Sequence, residues 1–276
     1  MQINPISARR ILADHRIRPS KKRGQHFIID QKVVERQAAY ADLRASDLVY
    51  EIGAGLGALT EEIASRGSEL VSIEIDDRLL KVISHRFNEQ RNVSLLKADA
   101  LSFEMRRPNK VVSNIPYNLS SQITFKILES EFDVAVLAYQ SDFAKRMAAK
   151  AGSKEYGRLS VNVYYRASVE ILDKISRDSF FPIPLVDSAI VRLKRKEPPF
   201  SVDNERFFFK VLRELFPYRN QMLRKVLKRF LMHNSFTELD AFNVINDAHV
   251  EDERIRNIQP ESFARLSNSL FRMLNR

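Results

Sequence analysis

The stretch Glu51-Ile52-Gly53-Ala54-Gly55-Leu56-Gly57 decides how this chain folds. It follows a short apolar run at residues 48–52 and opens onto a helical pattern over 56–64. Glycines let a backbone turn sharply and approach a ligand closely, and the helix that follows offers its positive N-terminus. The chain has seven glycines, and three of them fall within five residues here. Such clustering marks a built turn between a strand and a helix rather than background usage.

Working outward, strand-like and helix-like patterns alternate. Residues 70–75, 93–96, 110–113 and 134–138 are short, mostly apolar and rich in β-branched side chains, and 78–87 reads as a helix among them. This predicts a mainly parallel sheet covered on both faces. Residues 161–172 and 186–193 read as late strands joined by a loop over 173–185. Past Pro198 and Pro199, residues 207–216, 219–232, 239–245 and 260–274 show apolar spacing of three to four and predict a small all-helical domain over 200–276. Residues 1–23 hold Arg9, Arg10, Arg16, Arg18, Lys21, Lys22 and Arg23 against one acid, Asp14, and read as a basic arm, mobile or laid along RNA. The α/β domain is expected to span 24–195.

The 276 residues carry a net charge of +10, which favours an acidic partner such as nucleic acid. With no cysteine there can be no disulfide and no thiolate metal site. The histidines, His15, His26, His85, His233 and His249, lack the close spacing of a zinc site, and no metal is expected. No apolar run approaches a membrane span and the N-terminus lacks the core of a secretory signal, so a cytoplasmic protein without a membrane partner is expected.

Three further features bear chemistry. Glu74 ends the strand after the glycine turn, about twenty residues on, where an acid suits a bidentate grip on ribose hydroxyls. Asp99, after the third strand, is placed to accept from an adenine amine or to cap a helix. Dinucleotide oxidoreductases share the glycine turn and the first acid; the run Asn114-Ile115-Pro116-Tyr117 separates this chain from them. Asn114 offers a side-chain carbonyl and Ile115 a backbone carbonyl held extended by the proline, a pair of acceptors suited to an exocyclic base amine. Tyr117 offers a face on which a base can stack. In the helical domain Arg219, Arg224, Lys225, Lys228 and Arg229 crowd one predicted helix and can track phosphates.

These motifs, with Arg23-Gly24-Gln25-His26-Phe27-Ile28, Tyr156-Gly157-Arg158-Leu159-Ser160 and residues 180–188 (Phe-Phe-Pro-Ile-Pro-Leu-Val-Asp-Ser), make the chain similar to the rRNA adenine dimethyltransferase family, which includes KsgA-type and Erm enzymes. The matches run from about Lys22 to Leu193 in the family's order. The resemblance implies a Rossmann-like S-adenosylmethionine-dependent methyltransferase domain with a small C-terminal helical domain. It implies cofactor contacts at His26, Ile28, Gly53, Gly55, Glu74, Asp99 and Asn114, with His26 and Ile28 standing where Asn and Leu are commoner. Phe180 corresponds to a second base-stacking aromatic opposite Tyr117, so that Asn114, Ile115, Tyr117 and Phe180 form the catalytic group. The implied activity is dimethylation at N6 of two adjacent adenosines near the 3′ end of small-subunit rRNA, on the RNA or the pre-ribosomal small subunit, by a monomer. An Erm-like enzyme acting on large-subunit rRNA and a non-catalytic RNA-binding factor on the same fold are the alternatives.

Overall fold

The computed structural model describes residues 3–232 and 237–275; His233 lies outside the described residues. The chain divides into two compact units, Met1–Ala144 with Ser168–Arg195, and Lys145–Ala167 with Lys196–Arg276.

The first unit carries helices α1 (Pro5–Asp14), α2 (Gln31–Tyr40), α3 (Ala58–Ser65), α4 (Asp77–Phe87) and α5 (Ser120–Glu129). Its strands are β1 (Phe27–Ile28), β2 (Leu48–Ile52), β3 (Glu69–Glu74), β4 (Val93–Lys97), β5 (Lys110–Asn114), β6 (Val134–Gln140), β7 (Ala167–Ile175), β8 (Phe180–Phe181) and β9 (Ser188–Arg195). Seven of them form one sheet in the order β4-β3-β2-β5-β6-β9-β7, and β1 pairs with β8 apart from it. Strands β4 through β6 run parallel, and β9 inserts antiparallel beside β6. A parallel sheet is buried on both faces, so its strands are continuous apolar runs; in β6, residues 135–139 are all buried. From β2 the chain moves outward to β4, then returns to β5 on the other side of β2. That reversal opens a crevice above the carboxyl ends of the strands, where open α/β sheets bind ligands.

The N-terminal residues are not the free basic arm that their charge predicts. Asn4 caps α1 by accepting from the Ile6 and Ser7 amides, and Ile3, Ala8, Leu12 and Ile17 are buried in the core cluster of this unit. The apolar spacing behind the arginines drives the helix onto the sheet domain and leaves Arg9, Arg10, Arg16 and Arg18 outside.

The boundary also differs from a domain running 24–195, because Lys145–Ala167 belongs with the C-terminal helices. Helix α6 (Ser141–Met147) spans this boundary in sequence. Residues 161–166, read as strand, lie in helix α7 (Arg158–Arg166), and only from Ala167 does β7 begin. The alternation of Val161, Val163 and Tyr165 mimics a strand. The helix wins because the Ser160 hydroxyl caps the Gly157 amide at 3.0 Å, while burial surrounds α7 instead of alternating. The rest of the second unit is α8 (Glu205–Leu215), α9 (Leu223–Met232), α10 (Glu238–Asp247) and α11 (Pro260–Leu274). They share a core with α7 that includes Tyr156, Tyr165, Phe208, Leu227 and Phe263. Among the described residues, no helix is long and apolar enough to cross a membrane.

Candidate active site

The glycine turn closes β2 and starts α3. Its backbone is left-handed at Gly55 and Gly57, with φ of 58° and 82°. A Cβ on Gly55 would lie 3.1 Å from the Phe27 ring, and one on Gly57 2.9 Å from that of Phe87, so both need glycine twice over. The three glycine amides of this turn are engaged. Gly53 donates to the Ile73 carbonyl at 2.7 Å, Gly55 to Glu74 Oε2 at 3.0 Å and Gly57 to the Ala54 carbonyl at 2.9 Å.

Glu74 is buried, and its second oxygen accepts the Asp76 amide at 2.8 Å. Burial pushes its carboxyl above the ordinary glutamate value, against the pull of those backbone bonds. Beneath the turn lies Glu51, which the sequence did not single out. It is fully enclosed, accepts from Thr60 Oγ1 at 2.6 Å and Ser72 Oγ at 2.7 Å, and is raised to about 7 by desolvation.

A cavity of about 550 Å³ opens above these strand ends. Its wall includes His26, Gly53, Gly55, Glu74, Asp99, Asn114, Ile115, Tyr117 and Phe180, so residues far apart in sequence meet around one space. Ile28 is not among them. In β1 it pairs with Phe180 and faces the core, 6% exposed, while Phe27 takes the place on the wall. The period-two alternation of a strand sends adjacent side chains to opposite sides, which the resemblance alone did not resolve.

Asp99 both lines the cavity and caps a turn, its Oδ1 accepting the Leu101 amide at 2.9 Å. Asn114 ends β5 with its side-chain Oδ1 buried and without a hydrogen-bond donor. A buried acceptor without a partner costs folding free energy, on the order of 1–3 kcal/mol, and here it belongs to a residue that lines the cavity. Beside it the Ile115 amide donates to Ala138 at 3.2 Å, tying the turn to β6.

Tyr117 and Phe180 do not form a parallel slot. Their ring centres are 6.5 Å apart and their planes cross at 68°, with Phe180 buried. It is His26 that stacks on Tyr117, at 5.3 Å and 26°. His26 Nδ1 lies 2.7 Å from the Pro182 carbonyl; that oxygen can only accept, so Nδ1 carries the proton. The Tyr117 hydroxyl bonds Ser188 Oγ at 2.7 Å, and burial raises its pKa.

One group on the wall, Ile75, and one beside it, Asp76, were missed from the sequence. Ile75 holds an exposed apolar side chain next to Glu74, placed to cover a flat ring. Asp76 caps α4 and gathers Arg23 at 2.7 Å, Arg78 at 2.7 Å and Gln25 at 3.3 Å. The hydrogen bond from Arg78, above all, holds its carboxyl well below the usual range. Asp76 follows Glu74 by two residues and precedes Arg78 by two, and that spacing was the available signal.

The basic cluster of the second unit is less uniform than expected. Helix α9 starts at Leu223, so Arg219 lies outside it; its guanidinium instead donates to the Tyr156 and Lys154 carbonyls at 2.9 and 2.8 Å. Arg224, Lys225 and Arg229 are exposed and Lys228 half-buried on α9, with Arg224 over the Phe242 ring and Arg229 over Tyr218. Among the described residues, no cluster of His, Asp and Glu could hold a metal.

The donor set fits S-adenosylmethionine. The cavity wall offers carboxylates at Glu74 and Asp99 and an exposed apolar side chain at Ile75. Comparison with known proteins agrees. The chain is 41% identical over 261 residues to the probable ribosomal RNA small subunit methyltransferase A of Methanococcus maripaludis, covering 92% of this chain and 99% of that one. It is 38% identical to the corresponding protein of Methanosarcina acetivorans, covering 91% and 94%. Among solved structures, a dimethyladenosine transferase from Plasmodium falciparum superimposes with a TM-score of 0.77 at 28% identity, covering 87% of this chain and 96% of the other. The 23S rRNA methyltransferase ErmE gives 0.64 at 28%, covering 89% and 99%. The ribosomal RNA adenine dimethylase model matches residues 16–270, and the chain therefore belongs to that family of S-adenosylmethionine-dependent methyltransferases.

Proposed function

We propose that this enzyme transfers methyl groups to N6 of adenosines near the 3′ end of small-subunit rRNA, two adjacent ones, giving N6,N6-dimethyladenosine as the subunit is assembled. The observation that carries the reading is the buried, unpartnered Oδ1 of Asn114 at the cavity wall.

Bound in the cavity, S-adenosylmethionine supplies an electrophilic sulfonium methyl. The adenine amine is a poor nucleophile because its lone pair is delocalised into the ring. Asn114 Oδ1 accepts one amine hydrogen and the Ile115 carbonyl the other, which favours a tetrahedral nitrogen with its lone pair aimed along the line of attack. The methylated nitrogen is strongly acidic and loses its proton to water, so Asn114 needs no basicity. Tyr117 supplies the stacking face. The base uses the face that His26 does not cover, or displaces the imidazole, while the edge-on Phe180 closes the rim. The exposed cations of α9 fit the phosphates of the same RNA.

The test is tritium transfer from S-adenosylmethionine to purified small and large ribosomal subunits that lack the modification, followed by mapping of the labelled adenosines. Label confined to adenosines near the 3′ end of the small-subunit rRNA is expected. The likeness to ErmE keeps one second reading, transfer to large-subunit rRNA, and label there would replace the first. Label in neither would leave an RNA-binding factor.

A further inference from the structure

The eight-residue run from Phe180 to Asp187 links the cavity wall to a loop that the methyl transfer leaves without a task. Leu185 is 93% exposed, more than any other large apolar side chain among the described residues, with Ile183 at 58% and Val186 at 43%. Pro184, between them, is buried. The loop is therefore an anchored projection, with apolar groups held outward on a fixed base.

Both of its roots are built into the site. Phe180, at one end, lines the cavity. The Pro182 carbonyl accepts from His26 at 2.7 Å, and Ser188, at the other end, bonds the Tyr117 hydroxyl at 2.7 Å. Asp187 is held by the Arg177 amide at 3.0 Å, by Lys174 at 2.7 Å and through its carbonyl by the Ser141 amide at 3.0 Å. Cations flank the projection: Arg9 sits 5.3 Å over the Phe181 ring, and the exposed Lys174 and Arg177 stand beside Asp187.

We propose that this loop is an apolar wedge for RNA. It enters the base stack beside the target adenosine and fills the gap left when that base turns into the cavity. The proposal rests on the reading above that the substrate is an adenosine in structured RNA. An adenine inside a stack cannot reach Asn114, and extruding it leaves a void that apolar side chains fill better than water. Apolar wedges bordered by cations recur where proteins unstack nucleic acids, the cations holding phosphates while the apolar groups part the bases. A protein partner would account for the exposed leucine but not for a rim of Arg9, Lys174 and Arg177, nor for roots shared with His26, Tyr117 and Phe180.

The probe is an RNA hairpin carrying the mapped methylation site, made in two forms. One keeps the stack intact; the other has an abasic residue next to the target adenosine, so that the base is already loose. Wild type is compared with Leu185→Ser and with Ile183→Ser/Leu185→Ser. Both positions are exposed, so melting temperature and S-adenosylmethionine affinity are expected to match wild type. The double variant is expected to transfer methyl to the intact hairpin at least about tenfold more slowly, yet to the abasic hairpin within about twofold of wild type. A 2-aminopurine next to the target is expected to brighten with wild type and not with the variant, while Leu185→Phe keeps the effect. Equal losses on both hairpins would overturn the wedge and leave a docking contact. Unchanged rates on both would overturn it outright, and so would a loss confined to protein-containing subunits, which would make the partner a protein. The same two forms are also tested inside reconstituted small subunits, and wild type that labels neither form there sinks the functional reading, an outcome distinct from all of these.

Discussion

Asn114 couples stability to chemistry through one atom. Its buried Oδ1 has no donor, so the free protein carries a polar group that it would fold more easily without. Asn114→Ala is therefore expected to melt no lower than wild type while single-turnover methyl transfer falls by at least about tenfold and RNA affinity stays nearly unchanged. A variant that kept more than about a tenth of the rate would show that the amide does not orient the amine. Glu74 is different, because it holds the glycine turn as well as any ribose. Glu74→Gln loses the charge and leaves one of the Gly55 and Asp76 amides facing a donor, and S-adenosylmethionine affinity measured by calorimetry is expected to fall by about 2 kcal/mol. Glu51 gives a pH signature. Burial raises its carboxyl from the ordinary glutamate value of about 4.5 to about 7 in the folded protein. The folded state thus binds this proton more tightly than the unfolded one. The stability linked to it is complete below about pH 4.5, is lost as pH rises to about 7 and then levels off, a span of about 3 kcal/mol. Denaturant unfolding of wild type against Glu51→Gln across that window isolates the contribution, and parallel pH profiles would remove it.

At the scale of elements, α9 puts its apolar residues inward and most of its cations outward. Leu223, Val226, Leu227 and Leu231 are buried, and the basic residues lie between them. Replacing Arg224, Lys225 and Lys228 by Gln is expected to flatten the salt dependence of RNA binding by about 0.9 per lost phosphate contact if the duplex DNA slope carries over. Cofactor affinity is expected to stay constant, since Gly53, Glu74 and Asp99 lie in the other unit. Titration at several salt concentrations checks both; an unchanged slope would move the docking surface to the arginines of α1. Arg219 belongs in neither group, because its guanidinium holds two backbone carbonyls of its own unit, and Arg219→Gln is expected to act on folding first.

At the scale of the whole molecule, each unit has its own buried cluster, while the cofactor cavity is lined only by residues of the first. A ligand of the folded state stabilises what it binds. S-adenosylmethionine at about a hundred times its dissociation constant is expected to add about 2.7 kcal/mol, a rise of about 5–10 °C in the transition of the first unit. NAD at the same concentration is expected to add nothing. Scanning calorimetry reads both, and a shift with NAD alone would point to a dinucleotide cofactor instead.

Much of this was legible in the residues themselves. The glycine turn, the buried runs of β2, β3, β5 and β6 and the carboxyl-end positions of Glu74, Asp99 and Asn114 follow from local rules: left-handed turns need glycine, central parallel strands are mostly apolar, and ligands gather where the strand order reverses. What the sequence could not carry is which neighbours a side chain meets. Period-two spacing at 161–165 belonged to a helix, because burial on every side erases the difference between strand and helix patterns. Arginine density at residues 9–23 hid a docked helix, because charge is counted along the chain whereas packing depends on its apolar face. The stacking of His26 on Tyr117, the turning of Ile28 away from the cavity, the empty acceptor at Asn114 and the exposure of Leu185 all depend on groups more than fifty residues apart or on the absence of any group nearby. Only tertiary packing decides those, since proximity across the chain is a property of the folded sheet and not of any stretch of it.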